Sequence, residues 1–410
     1  MRNTFKPRDY QSVISDKAVT ILNELGIVVF GIEVRCGKTF MALMTAQKIG
    51  AKNVLFVTKK KAISSIQDDY NTLNPGYNIE IINYESLHKI PKINYDLIVA
   101  DESHGISAYP KPSKRAKDLK AIVGSNHLIL MSGTLTPESY SQVFWQFAVS
   151  KRSPFKHVNF YKWAKDFVDV KDRNLGYAVV KDYSHAKIEL IKPIIAPYII
   201  TFTQKQAGFS TNVKENVLKV KMNPLTYQLA KRLSRDKVII AEDGSEILAD
   251  TAVKLQQKLH QIFSGTVLFE DKTSRIFDTS KFDFIKERFK NNKIAIFYKF
   301  KAELEGLKQV FGDDLCFDLE TFDSTGKNIA LQFISGKEGI SLRNADFLVA
   351  FNIDFSASTY FQFKDRMSTK DRTENTLYWI FSEDGIEENI YKAVMNKKNY
   401  TTAIFKKDFF

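Results

Sequence analysis

The chain has 410 residues, with 60 Lys and Arg against 47 Asp and Glu, so its formal net charge is +13. That length exceeds a single usual core and predicts two domains. A basic balance of this size favours a polyanionic partner, usually nucleic acid, although many proteins are basic without one. The two cysteines, Cys36 and Cys316, and the six scattered histidines exclude a disulfide framework and predict no zinc site. No apolar run approaches ~18 residues, which argues against a signal peptide or a membrane span, so a cytoplasmic protein is expected.

Short apolar runs alternate with amphipathic stretches in the first part of the chain, and this pattern is typical of parallel α/β units. We predict strands at 27–32, 54–58, 79–83, 97–100 and 128–131. From 151 to 225 the alternation is lost, which predicts a helical or irregular connector between two α/β lobes.

Apolar runs then flank Asp243-Gly244, which predicts a hairpin over 238–248, and helical spacing follows over 251–263. A second α/β series has predicted strands at 294–298, 315–319, 329–334, 347–352 and 376–381. The predicted organisation is therefore a first lobe at 1–150, a connector at 151–225 and a second lobe at 226–410.

A glycine turn follows the first predicted strand, and Gly37-Lys38-Thr39 opens the next helix. The strict phosphate-loop pattern G-x-x-x-x-G-K-[ST] is not satisfied, because Ile32 stands where the first glycine is required. The backbone N–H groups of residues 33–37 can still form an anion nest together with the helix dipole. Alone this signal is weak, since the N-terminus of any helix can carry such a triplet.

Two adjacent carboxylates, Asp101 and Glu102, follow the predicted strand at 97–100. A carboxylate at the exposed end of a buried parallel strand can hold Mg²⁺ against phosphates cradled at a helix N-terminus. An acidic pair is usually a solvated surface, but here it and the glycine turn each follow an apolar strand in the expected order. Together the two features predict an ATPase.

Three further segments decide the class of protein. Residues 131–134 end a predicted strand, residues 334–342 follow one, and residues 362–366 come next in the second half of the chain. With them the chain resembles superfamily 2 helicases and translocases over nearly its whole length, and most of all the Swi/Snf-type remodelling ATPases and their phage-encoded relatives. The matching segments are 7–11 for adenine reading, 33–39 for motif I, 54–58 for Ia, 101–104 for II, 132–134 for III, 258–265 for the helix before the second lobe, 296–300 for IV, 335–342 for V and 362–366 for VI. The resemblance implies two tandem RecA-like lobes with parallel sheets and an ATP cleft between them.

The resemblance also implies the role of each site residue. Lys38 would neutralise the β- and γ-phosphates of ATP, Thr39 and Asp101 would hold Mg²⁺, and Glu102 would activate the attacking water. His104 with Ser132 and Thr134 would couple the γ-phosphate to lobe closure, although a core histidine is an alternative for His104. Gln11, with Arg8 or Tyr10 nearby, would recognise adenine. The further nucleotide contacts would be Arg35, Cys36, Gly37, Gly339 and Gln362.

Arg366 would act as an arginine finger that reaches the γ-phosphate when the lobes close. The chain departs from the family here, because Thr369 stands where a second arginine is usual. Lys370 or Arg372 is a candidate replacement, and weak hydrolysis is the alternative. A hydrolysis-poor nucleic-acid binding module with the helicase fold therefore remains a second hypothesis.

The implied partner is duplex, forked or branched DNA, bound through its backbone by a monomer that rearranges forks or junctions, with an RNA-directed helicase as the runner-up. The candidate contacts are Thr58, Lys59, Lys60, Lys299, Ser335 and Gly336. For 59–61 a solvated basic loop is an equal alternative. The hairpin around Asp243-Gly244 is either a branch-point wedge or purely structural. A P-loop ATPase acting on proteins or metabolites is the third hypothesis, and it leaves the motifs of the second half unexplained.

Overall fold

Two compact α/β units, Met1–Gly208 and Phe209–Phe410, make up the chain. The computed structural model describes residues 7–91, 93–137, 139–174, 179–208, 212–333, 342, 344–357, 359–360, 363 and 374–396. Each unit is built around its own six-stranded parallel sheet. The prediction of a mixed α/β fold with two parallel sheets is confirmed.

The sheet of the first unit has the strand order β3-β2-β4-β5-β1-β8. All five strands predicted in this part of the chain are confirmed to within one residue at each end. The elements are α1 Asp9–Leu25, β1 Ile27–Ile32, α2 Lys38–Lys48, β2 Asn53–Thr58, α3 Ile63–Leu73, β3 Asn78–Asn83, β4 Leu97–Ala100, α4 Lys114–Val123, β5 His127–Met131, α5 Val143–Ala148, α6 Phe160–Phe167, β6 Lys171–Asn174, β7 Val179–Asp182, α7 Ile188–Ile195 and β8 Ile199–Phe202.

The central strands of this sheet are buried on both faces, which is why they read as continuous apolar runs. Helix α1 ends at Gly26, whose left-handed φ of 75° lets its N–H return to the Leu22 carbonyl at 2.8 Å. Strand β1 begins at the next residue. Because this connection is so short, α1 packs along β1. The start of α1 therefore lies beside the turn that follows the other end of β1.

The predicted connector at 151–225 does not form a separate part. Its strand β8 pairs in parallel with β1, and Phe155 and Trp163 lie in the core of the first unit. The strand β9, Asn212–Val220, pairs with the sheet of the second unit. The chain therefore divides at 208 rather than at 150 and 225. Sequence alternation missed these strands because both lie at sheet edges, where exposed positions interrupt the apolar run.

The second sheet has the strand order β15-β16-β14-β17-β18-β9. The predicted hairpin is confirmed, with Val238 paired to Leu248 and Gly244 in the left-handed region at φ 85°. The predicted strand at 315–319 ends at Cys316, because Asp318 caps a helix there. The remaining elements are α8 Pro224–Asp236, β10 Val238–Ile240, β11 Glu246–Leu248, α9 Ala252–Ile262, β12 Thr266–Leu268, β13 Ser274–Ile276, α10 Ser280–Arg288, β14 Ile294–Tyr298, α11 Lys301–Phe311, β15 Leu315–Cys316, α12 Leu319–Ser324, β16 Asn328–Gln332, β17 Phe347–Ala350, β18 Glu374–Ser382 and α13 Glu387–Met395.

A fully buried ion pair ties two helices of the second unit together. Lys281 on α10 donates to Glu387 on α13 at 2.5 Å, and neither side chain is exposed to solvent. The second carboxylate oxygen of Glu387 has no hydrogen-bond partner among the described residues. Removing one partner leaves a buried charge uncompensated, whereas replacing both with apolar groups avoids that cost.

The variant Lys281→Met should lower the free energy of unfolding of the second unit by about 3–5 kcal/mol, because Glu387 would be left buried without its cation. The double variant Lys281→Met/Glu387→Leu should recover most of that loss. Urea denaturation, monitored through amide hydrogen exchange in β14, would measure the free energy of unfolding of the second unit separately. A single variant as stable as the wild type would contradict the assigned cost of breaking this pair.

Candidate active site

Three neighbouring strands of the first unit end at one edge of the sheet and carry the predicted motifs. The order β4-β5-β1 is parallel throughout, so the residues that follow these strands lie side by side. The glycine turn follows β1, Ser132 follows β5, and Asp101 follows β4. Ligands of open α/β sheets bind outside this edge. The predicted phosphate turn and the predicted carboxylates are therefore brought to one edge.

The glycine turn is shaped by two left-handed residues, Arg35 at φ 63° and Gly37 at φ 83°. The left-handed conformation favours glycine at Gly37, and a Cβ atom there would lie only 2.2 Å from Nε2 of Gln11, so the Gln11 side chain would have to move. Lys38 begins α2, and its ammonium donates to the Ile32 carbonyl at 2.9 Å. The positive charge of Lys38 thus lies over the turn at the N-terminus of a helix, where an anion is favoured.

The start of α1 is fastened to this turn. Gln11 is buried, and its side-chain oxygen accepts the backbone N–H of Arg8 at 2.9 Å. The Tyr10 ring stacks on Phe202 with ring centroids 4.7 Å apart, and its hydroxyl donates to the Cys36 carbonyl at 3.3 Å. The segment that resembles the adenine-reading motif is therefore in direct contact with the glycine turn.

Two hydroxyl groups orient Asp101. Thr58 at the end of β2 donates to Oδ2 of Asp101 at 2.8 Å, and Tyr84 donates to its backbone carbonyl at 2.6 Å. Burial raises the pKa of Tyr84 well above its usual value, and the negative charges of Asp101 and Glu102 add to this effect, so the phenol stays protonated. Asp101 is thus positioned by the ends of two further strands.

The structure gives the side chain of Thr58, a predicted nucleic-acid contact, a partner within the protein. This side chain is fully buried and donates to Asp101, so the hydroxyl positions the carboxylate, and the contact of Thr58 with nucleic acid stays a prediction. Tyr84 was not among the predicted residues. It comes directly after β3, at the same sheet edge as Thr58, and the rule that located the other motifs would have found it.

Glu102 lies in a left-handed turn at φ 49° that directs its carboxylate toward two neighbours. Its Oε2 is 3.2 Å from Nδ1 of His104, and its Oε1 is 4.0 Å from Nζ of Lys59. Nδ1 of His104 also lies 3.1 Å from Oγ of Ser132, which links the acidic segment to the residues after β5. Burial, with the charge of Lys59 adding to it, lowers the pKa of His104 to about 4, so the ring is neutral at pH 7.

A buried glutamine supports both the acidic segment after β4 and the segment after β5. Gln146 on α5 accepts from the Ser103 hydroxyl at 2.9 Å and donates to the Leu135 carbonyl at 2.8 Å. Oγ of Ser132 accepts a hydrogen bond from the backbone N–H of Thr134 at 3.1 Å. Gln146 was not predicted, although it is the one polar residue of the apolar helix α5, because its partners lie on other elements.

The oxygen groups at this edge suit Mg²⁺ bound together with phosphates. Asp101 supplies a carboxylate, and Thr39 lies in the first turn of α2. Within the described residues no three His, Cys, Asp or Glu side chains form a metal-binding group. A Mg²⁺ ion here would take most of its ligands from phosphates and water, which is its usual mode of binding beside nucleotides.

The predicted nucleic-acid contacts differ in their surroundings. Lys59 and Lys60 are exposed after β2, at the same sheet edge as the carboxylates. Lys299 in the second unit is only 14% exposed, and it pairs with Asp354 at 3.0 Å and lies 4.1 Å above the ring of Phe355. The charge of Lys299 is therefore neutralised locally. Several predicted residues lie outside the described parts of the chain, namely Ser335, Gly336, Gly339, Gln362, Arg366, Lys370 and Arg372.

No protein-family model matches the chain, and no curated protein matches it. Over the described parts of the chain, none of the helices combines the length and the apolarity needed to cross a membrane.

The space at Gly37 can be tested against a second left-handed glycine. Gly50 has φ 74°, and no atom lies within 4 Å of the position that a Cβ would take there, so Gly50→Ala adds backbone strain alone, about 1–2 kcal/mol. Gly37→Ala adds the contact with Gln11 and should be more destabilising. Adding Gln11→Ala to Gly37→Ala should restore part of the difference, because the contact is removed. Denaturation of the first unit would measure all of these variants, and equal costs at the two glycines would contradict the steric argument.

Proposed function

We propose that the chain is an ATP-dependent DNA translocase or helicase of the superfamily 2 type, with two RecA-like lobes, acting on duplex or branched DNA. One observation carries the proposal: the Gly37-Lys38 turn and the oriented Asp101-Glu102 pair lie at one edge of one parallel sheet. A phosphate nest beside a metal-binding carboxylate is the minimum needed for phosphoryl transfer from a nucleotide.

In the proposed reaction each residue acts from its own position at this sheet edge. Lys38 leaves the Ile32 carbonyl and neutralises the β- and γ-phosphates, while Thr39 and Asp101 hold Mg²⁺. Glu102 orients the water that attacks the γ-phosphate. The neutral His104 lies between Glu102 and Ser132 and would transmit the state of the γ-phosphate to the loop after β5.

The distribution of charge supports a polyanionic partner. The first unit, 1–208, contains 29 Lys and Arg against 18 Asp and Glu, whereas 209–410 contains 31 against 29. Nearly all of the net positive charge therefore belongs to the unit with the proposed nucleotide site. The exposed lysines after β2 lie at the edge of that site, and contacts to phosphates depend on such cations.

The role of the second unit rests on its parallel sheet and on the resemblance. The proposal assigns Arg366 to stabilisation of the γ-phosphate charge, Gly339 and Gln362 to the nucleotide, and Ser335 and Gly336 to the DNA backbone. An ATPase acting on metabolites would leave the second six-stranded parallel sheet without a role.

Steady-state ATP hydrolysis by the full chain would test the proposal. We expect turnover to rise when duplex DNA or a four-way junction is added, and to rise less with single-stranded DNA or RNA. Because the contacts are to the backbone, stimulation should fall steeply with salt. Stimulation by RNA alone would favour the runner-up, and no stimulation by any nucleic acid would refute the proposal.

The variant Lys38→Ala should reduce ATP turnover to the background rate, because the phosphates lose their cation, and it should retain DNA binding. An enzyme-coupled phosphate assay and a DNA gel shift would measure the two properties. The control Lys17→Ala removes an exposed lysine from α1 and should leave both unchanged. Persistent turnover in Lys38→Ala would show that the nucleotide site has been assigned wrongly.

The variant Thr58→Val should raise the Mg²⁺ concentration required for half-maximal turnover by about 10- to 100-fold, since it removes the hydroxyl that orients Asp101. Thr58→Ser keeps the hydroxyl and should behave like the wild type. A Mg²⁺ titration of turnover at fixed ATP would compare them. If valine and serine give the same titration, Thr58 has no role in orienting the carboxylate.

A further inference from the structure

One strand end touches both carboxylates of the candidate site. Thr58, the last residue of β2, donates to Asp101, and the next residue, Lys59, lies with its ammonium 4.0 Å from Oε1 of Glu102. The other oxygen of Glu102 is 3.2 Å from His104. Glu102 is thus held between a cation and a neutral imidazole, and the cation comes from the segment predicted to contact nucleic acid.

The two members of this ion pair differ in exposure. The side chain of Lys59 is 48% exposed, whereas that of Glu102 is 17% exposed. A polyanion that approaches from solvent therefore meets Lys59 first. Partly exposed ion pairs at this separation are weak, so a backbone phosphate can compete with Glu102 for the ammonium. The neighbouring Lys60 and Lys61 are also exposed and add to the attraction.

Pairing with a cation restrains a carboxylate that must act on water. A nearby ammonium attracts the carboxylate and holds its side chain in one position. This restraint opposes the proposed role of Glu102 in orienting water. Removal of Lys59 from Glu102 would relieve the restraint and leave Glu102 in contact with His104.

We infer that Lys59 is a phosphate sensor: it restrains Glu102 when no nucleic acid is bound and releases it when a backbone phosphate captures the ammonium. This inference rests on the proposed function, and it identifies how the polyanion would stimulate ATP hydrolysis. Lys59 is here a regulatory residue, since it acts through Glu102 and does not touch the reacting atoms.

Three variants of the full chain would test this inference. Lys59→Gln removes the charge, Lys59→Arg keeps it, and Lys165→Gln removes one exposed charge on α6 as a matched control. ATP turnover with Mg²⁺ would be measured without nucleic acid and with sonicated duplex DNA. Lys59→Gln should raise the DNA-free rate about 2- to 5-fold, the factor expected from a weak ion pair, and lower the stimulation by DNA by a similar factor.

Lys59→Arg and Lys165→Gln should keep the wild-type ratio of stimulated to DNA-free turnover. In a salt titration of DNA binding, Lys59→Gln should also lower the salt slope by about 1, the loss expected for one phosphate contact. Two results would overturn this inference alone, provided that DNA stimulates the wild type. In the first, Lys59→Gln has the same DNA-free turnover as the wild type. In the second, Lys59→Gln lowers the DNA-free and the DNA-stimulated turnover by the same factor. A wild type that hydrolyses ATP with no response to nucleic acid would overturn the proposed function and the inference with it.

Discussion

The parallel pairing of β4, β5 and β1 is the constraint on which the rest of the first unit depends. Leu128 is paired with Ile27 on one side and with Ile98 on the other, so the register of the three strands is fixed relative to one another. A shift of register by one residue would move every side chain to the opposite face of the sheet, and both faces are packed, so each side chain would meet the wrong neighbours. The core thus fixes the edge at which the turn and the carboxylates meet.

At this edge the backbone adopts conformations that would be unfavourable elsewhere. Arg35 and Glu102 are non-glycine residues with positive φ, each beside a residue proposed to act on phosphate or water. Such conformations persist only where surrounding contacts hold them. Here Gln204 holds the turn through Glu33 at 2.6 Å, and Tyr10 holds it through the Cys36 carbonyl. Strain at the site is therefore offset by contacts with α1 and with the segment after β8.

The sequence predicted the buried strands well. It did not predict the edge strands or the buried polar contacts, which depend on residues far away in the chain. Apolar runs located β1 and β4 with their correct ends, because β4 is buried throughout and β1 is buried at every residue except Gly31. Strand β9 was missed, since it lies at a sheet edge and its partner is 162 residues further along the chain at Asn212 and Glu374. Gln146 was missed for a related reason. A buried polar side chain is recognisable only from the groups around it, and those come from other elements.

Cations of similar type have different surroundings in the two units. Lys299 is paired with Asp354 and covered by Phe355, whereas Lys59 is half exposed and is weakly paired with Glu102, the residue proposed to act on water. A phosphate that binds Lys299 must first break a well-shielded pair, but one that binds Lys59 displaces only a partly hydrated contact. Sensitivity to a polyanion is therefore expected where the ion pair is weakest. In the first unit that pair is Lys59 with Glu102. Glu102 therefore affects both the attraction of a polyanion to Lys59 and the chemistry proposed for ATP.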